Sequence, residues 1–116
     1  MSNPKFQIKE SKNNQFFFNL HALNGQVILT SEMYTTKQSC KKGIESVIDN
    51  APTDEQYDRK KAKNEQFFFN LKATNGEVIG KSEMYTTKAS RDKGIESVKK
   101  NAPIARVEDA TKEVVN

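Results

Sequence analysis

Gln15-Phe16-Phe17-Phe18-Asn19-Leu20 is met again 51 residues later as Gln66-Phe67-Phe68-Phe69-Asn70-Leu71, and the match runs on to Pro52 and Pro103. Ten of the 38 pairs formed by residues 15 to 52 and their echoes differ, leaving 28 identical, so the chain is an internal duplication. Within each copy the hexapeptide alternates: Phe16, Phe18, Leu20 and Ala22 point one way, Phe17, Asn19 and His21 the other. A period of two is the mark of a strand with one buried face. Asn24-Gly25 and Asn75-Gly76 follow, the pair best suited to the two positive φ angles of a type I′ turn, so a second strand returns antiparallel. A two-residue loop sets Ala22 opposite Val27, Leu20 opposite Leu29, Phe18 opposite Ser31 and Phe17 opposite Glu32. Upstream, Phe6 and Ile8 alternate with Lys5, Gln7 and Lys9, which makes Lys5 to Glu10 a first strand; Tyr57 and Arg59 hold those places in copy two.

After Tyr34 the period changes. Thr35 or Thr36 can cap a helix, because a hydroxyl can accept one of the unpaired first-turn amides. Cys40, Gly43, Ile44, Val47 and Ile48 then fall on one stripe. In copy two Arg91 replaces Cys40 and Lys99 replaces Ile48, so the second helix is expected to be more solvated. A mid-helix glycine costs on the order of 1 kcal/mol relative to alanine, and Gly43 and Gly94 point to a close approach of helix and sheet backbones. Asn50-Ala51-Pro52 and Asn101-Ala102-Pro103 stop the helices.

The fold class that follows is α+β: two tandem β-β-β-α repeats folded as one pseudo-symmetric body, with two helices on one face of a single sheet. Phe16, Phe18, Leu20, Val27, Leu29, Ile44 and Val47, with their echoes, are the expected core. One unit of about 50 residues buries too little surface to offset its backbone entropy. The 116 residues are therefore read as a single domain, with repeat one over about 5–52, repeat two over about 56–103 and a tail over 104–116. Part of that tail, about Arg106 to Thr111, is expected to add an edge strand, and the rest to fray.

Composition narrows the function classes. Hydrophobic residues make up 34% of the chain, and 19 Lys+Arg stand against 15 Asp+Glu, a net charge of +4. No apolar run approaches the roughly 18 residues of a membrane span, and the start lacks the apolar stretch of a signal peptide, so a cytoplasmic location without membrane contact is expected. A lone cysteine, Cys40, and a lone histidine, His21, rule out an internal disulfide and a cysteine-based structural zinc site, and no cofactor or metal is expected. Since Cys40 faces Arg91 and His21 faces Lys72, neither is needed by a chemistry that both copies perform.

Phe-x-Phe-x-Leu-x-Ala at 16–22, Asn24-Gly25, Ser31 to Lys37 (Ser-Glu-Met-Tyr-Thr-Thr-Lys), Lys42 to Val47 and Asn50 to Pro52, nearly all echoed 51 later, resemble the YegP-like family of small bacterial proteins of unknown function. The resemblance covers nearly the whole chain. It implies two β-β-β-α-β units that share one antiparallel sheet and exchange their last strands: the segment after helix one would open copy two, and the tail after Pro103 would supply the exchanged strand. It brings no catalytic residues. The chain departs from the pattern in carrying Phe at 17 and 68, where a polar or basic residue is expected.

Nothing has the spacing of a phosphate loop, a zinc cluster or a hydrolase elbow, so no enzyme is expected. Cys40 lies on the helix stripe and reads as a small core residue rather than a nucleophile. His21 reads as a solvated surface histidine. Two candidate sites remain. Tyr34-Thr35-Thr36-Lys37 and Tyr85-Thr86-Thr87-Lys88 place free amides, hydroxyls and a lysine at a helix start, which can hold a small anion; ordinary capping is the plainer reading. The outer sheet face carries Phe17, Asn19, His21, Phe68, Asn70, Lys72 and Lys81, a mixture that suits a protein partner or a second copy, or alternatively weak binding of single-stranded RNA or DNA. Charge is spread thinly, +2 in copy one, +3 in copy two and −1 in the tail, so no block of like charge marks a phosphate track. The first reading is therefore a non-enzymatic interaction module.

Overall fold

The computed structural model describes residues 3–111. Strands β1 (Lys5–Glu10), β2 (Phe16–His21) and β3 (Val27–Thr30) form a meander that leads into helix α1 (Lys37–Asn50). Strands β4 (Tyr57–Lys61), β5 (Phe67–Lys72) and β6 (Val78–Lys81) and helix α2 (Lys88–Asn101) repeat the pattern, and β7 (Arg106–Asp109) closes it. All seven strands lie in one sheet of order β4-β5-β6-β3-β2-β1-β7, with the pseudo-twofold between β6 and β3, where Thr30 pairs with Lys81. The tail thus returns to copy one, as an exchange of last strands implies. It lies parallel to β1, with Phe6 beside Val107, so the sheet is mixed at that edge rather than wholly antiparallel. Parallel neighbours need a long connection in place of a hairpin, and here β2 to β6 and both α-helices lie between β1 and β7 along the chain. The expected fraying beyond Thr111 lies outside the described residues.

The hairpin turns differ from the type I′ expectation. Ala22 N–H donates to Gln26 O and Gly25 N–H to Ala22 O, and only Gly25, at φ 88°, takes a positive φ; Gly76 does the same in copy two. This is a three-residue loop whose glycine forms the bulge, so Asn24 needs no left-handed backbone. Leu20 does face Leu29, but the register then shifts and His21 faces Val27, leaving Ile28 as the extra residue. A bulge turns two neighbouring side chains toward the same face. Ile28 and Leu29 are accordingly both buried while Val27 is only half-buried, which corrects the expected core: Ile28 and Ile79 replace Val27 and Val78. A second irregularity follows. Phe18 is bonded to Ser31 and Phe16 to Tyr34, so Phe17 faces both Glu32 and Met33 rather than Glu32 alone.

Phe6, Ile8, Phe18, Leu20, Ile44 and Val47 join Phe69, Leu71, Ile95 and Val98 in one buried cluster beneath the helices. Phe16 is half-buried against its margin. Leu29 has no apolar echo, because position 80 is glycine; a Cβ there would stand 2.6 Å from the Leu29 Cγ and Cδ2 atoms. One leucine near the pseudo-axis fills the space of two.

The mid-helix glycines also have a different partner from the one expected. A Cβ on Gly43 would stand 2.7 Å from Tyr34 Cζ and 3.1 Å from Phe18 Cε2, and one on Gly94 would stand 2.7 Å from Tyr85 Cζ. A tyrosine ring lies over each helix backbone, in place of a close sheet strand. Tyr34 in turn stacks on Phe18 at 6.4 Å between centroids.

Copy two compensates for its lost apolar residues with stacked cations. Arg91 is buried, not solvated: its guanidinium lies 5.5 Å over the Phe67 ring and its Nε meets Asp92 at 3.2 Å. Lys99 Nζ sits 5.7 Å over the Tyr57 ring and pairs with Asp54 at 2.8 Å, which Arg59 also meets at 3.0 Å. Those two cations hold the Asp54 carboxyl down at about 2. A carboxyl depressed on folding adds stability above its ordinary pKa and loses it as pH falls through the folded value. Thermal melts should therefore show a Tm that declines between about pH 4 and pH 2, with a shallower decline in Asp54→Asn.

Candidate binding face

Alternation along β2 and β5 puts Phe18, Leu20, Phe69 and Leu71 under the helices and forces Phe17, Asn19, His21, Phe68, Asn70 and Lys72 to the opposite face. Lys81 joins them from β6, paired with Asn70. All seven residues singled out from the sequence therefore share one helix-free surface. Its centre is a row of paired positions that crosses every strand: Glu108, Gln7, Asn19, Thr30, Lys81, Asn70 and Asp58. Asn19 is the least available member, being 7% exposed with its amide donating to Thr30 Oγ1 at 2.9 Å.

The phenylalanines flank this row on opposite sides. Phe17 stands across from Lys9 and Phe68 across from Lys60. Three strand spacings and four residues of offset set the two rings roughly 20 Å apart. Lys81 Nζ lies 4.9 Å from the Phe68 centroid; its echo is Thr30, so Phe17 lacks that cover. Lys5, Lys9, Lys60, Lys72, Lys81 and Arg106 stand on this face against Asp58 and Glu108. Most are paired: Lys5 and Arg106 with Glu108, Lys60 and Lys72 with Asp58.

His21 is more enclosed than a solvated histidine. Its Nδ1 lies 3.2 Å from Gly25 O, which makes Nδ1 the donor, and its Nε2 is buried without a partner among the described residues. Cys40 belongs to the other side of the sheet, fully buried on α1, where burial first and the Asp109 charge second push its thiol up to about 11. The sheet separates the two side chains that could have made a nucleophile and a base.

The helix starts are ordinary caps. Thr36, not Thr35, accepts from Ser39 N–H at 3.0 Å, and Thr87 accepts from Ser90 N–H at 3.0 Å. Tyr34 and Tyr85 cover the glycines, and burial raises both phenols. Thr35 and Thr86 are exposed. Lys37 Nζ meets the Asp109 carboxylate at 2.8 Å and Thr111 Oγ1 at 2.8 Å, so the first helix start already holds an anion of the chain itself. That pairing, more than the Thr111 bonds, drives the Asp109 carboxyl far below the usual range. Lys88, its echo, is exposed. The sequence singled out Lys37 but not its partner, because residues 37 and 109 are joined only by topology. Among the described residues no group of three or more His, Cys, Asp and Glu could hold a metal ion, and no helix is long and apolar enough to cross a membrane.

Comparison with known proteins gives the same architecture. The sequence profile of the Domain of unknown function (DUF1508) matches twice, over residues 11–58 and 62–109. The chain is similar to the UPF0339 protein YegP of Escherichia coli strain K12, 52% identical over 106 residues, covering 91% of this chain and 96% of that one. A UPF0339 protein of Pseudomonas aeruginosa is 49% identical over 105 residues, 90% of this chain and 96% of that one. The solution NMR structure of the E. coli yegP protein of unknown function superposes with a TM-score of 0.91 at 48% identity, covering 98% of each chain. That of a UPF0339 protein from Shewanella oneidensis gives 0.88 at 47%, covering 96% and 93%.

Proposed function

The chain belongs to the DUF1508 family, a family of unknown function, and from that premise we propose that it is a non-enzymatic interaction module working through the helix-free face of its sheet. The observation that carries this reading is the pair of half-buried phenylalanines, Phe17 and Phe68, set on either side of a polar row with no helix or strand among the described residues laid over them. Mixed aromatic, amide and internally neutralised charge is the composition proteins present to proteins. The buried thiol of Cys40, on the far side of the sheet from His21, supports a role without covalent catalysis. The single unpaired cysteine supports action in the cytoplasm.

One observation favours a second reading: Phe17 is uncovered and has Lys9 directly across from it, the arrangement on which a base stacks beside a neutralised phosphate. A photo-crosslinking residue placed at 17 or 68, with a control at Lys93 on α2, tests both. The interaction module is expected to give a discrete protein adduct from the sheet-face positions that Phe→Ser at the other ring weakens. Crosslinks from the control alone, or none, overturn it. Titration of labelled single-stranded RNA at two salt concentrations addresses the second reading: a salt-dependent shift lost in Phe17→Ser, Phe68→Ser supports nucleic acid, and no shift at low salt ends it.

A further inference from the structure

The two ends of the sheet are quasi-equivalent, yet only one is covered. At the β1 end, Arg106 N–H donates to Pro4 O at 3.2 Å and Ala110 N–H to Ile8 O at 2.9 Å. Glu108 takes Gln7 Nε2 at 2.7 Å and Lys5 Nζ at 3.3 Å, and Asp109 takes Lys37. Val107 and Asp109 border a groove with Lys41, Ile44 and Ile48 of α1. At the other end β4 occupies the place of β1 and, among the described residues, no strand lies outside it.

The residues that receive β7 are largely replaced in copy two. Gln7 becomes Asp58, Ile8 becomes Arg59, Lys41 becomes Asp92 and Ile48 becomes Lys99, while Lys37 and Ile44 persist as Lys88 and Ile95. The replacements are tied to one another and to their surroundings: Arg59 meets Asp54 at 3.0 Å and Asp92 at 3.5 Å, and Lys99 meets Asp54 and Glu96. A strand with the sequence of β7, laid on β4 as β7 lies on β1, would set Glu108 beside Asp58 and press Val107 toward Lys99, and would bring Asp109 opposite Arg59 only at the expense of the Arg59 pairs with Asp54 and Asp92. Like charges brought together cost affinity, and a charged edge is a known defence against adding strands.

We propose that Asp58, Arg59, Asp92 and Lys99 determine specificity at the β4 edge: they refuse β7, so that this strand pairs with β1 and not with the β4 edge of another molecule. The assignment is independent of the function proposed for the sheet face. It separates two surfaces of the same geometry by charge alone and keeps the duplicated chain from adding to itself end to end.

The test restores copy-one residues in the full chain, Asp58→Gln, Arg59→Ile, Asp92→Lys and Lys99→Ile, and titrates a synthetic peptide of residues 104 to 111. In the native chain the peptide is expected to leave the amide resonances of β4 unmoved. In the restored chain it should shift those of Asp58→Gln to Lys61 at least tenfold more at equal concentration, and light scattering should show mass rising with protein concentration. Equal shifts in both chains, or a folded restored chain that neither binds the peptide nor self-associates, overturns the proposal. If the fourfold variant loses its dispersed spectrum, Asp58→Gln with Arg59→Ile is read in its place by the same two criteria.

Discussion

Leu29→Ala is expected to lower the unfolding free energy by about 3–5 kcal/mol, the range for emptying a leucine site whose neighbours cannot close in. Leu29 is fully buried and lies against Gly80, the echo of its own position, which contributes no side chain. No second residue stands ready to fill the void. The converse change, Gly80→Ala, places a methyl 2.6 Å from Leu29 Cγ, an atom that cannot swing aside, and overpacking of this kind costs about 1–3 kcal/mol. The two substitutions share one space, so they should couple strongly. Gly80→Ala is expected to be neutral or stabilising once Leu29 is already alanine. Urea denaturation of the wild type, both single variants and the double variant measures this cycle; simple additivity would contradict the shared space.

Gly43→Ala is the second large effect, and its sign is opposite to the one helix propensity gives. In an exposed helix the change would gain about 1 kcal/mol. Here the added methyl would meet Tyr34 Cζ at 2.7 Å and Phe18 Cε2 at 3.1 Å, both in rings locked by their mutual stacking. The expected outcome is a net loss of about 1–3 kcal/mol, with Gly94→Ala losing a similar amount against Tyr85. Replacing Tyr34 by leucine first removes the ring, and in that background Gly43→Ala should become neutral or favourable. Thermal and urea unfolding of the four variants decides it. A Gly43→Ala protein more stable than the wild type would show that the ring leaves the helix at no cost.

These sites mark where the sequence could and could not be read. Alternation in Phe16 to Ala22, the apolar stripe from Cys40 to Val47 and a cap at Thr35 or Thr36 are local signals, and the strands, the helices and the seven residues of the open face followed from them. What escaped local reading was made between elements. The exchange of Ile28 for Val27 in the core depends on a bulge that balances two strands, and a loop set by one glycine looks like Asn-Gly in either geometry. Arg91 reads as a surface residue until the Phe67 ring is placed under its guanidinium. Gly80 reads as a weak strand residue until Leu29 arrives from the other copy. The repeat itself misleads at such points, since it invites each copy to be given the same core, while a pseudo-axis leaves room for only one of two equivalent side chains.

The parallel seam between β1 and β7 joins residues such as Gln7 and Glu108, which stand 101 positions apart in the chain. During synthesis β1 must therefore wait for β7. At about 5–20 residues per second that interval is roughly 5–20 s. Throughout it the nascent protein carries an open hydrogen-bonding margin beside Phe6 and Ile8, an exposure that ends only when β7 has been made and released to pair.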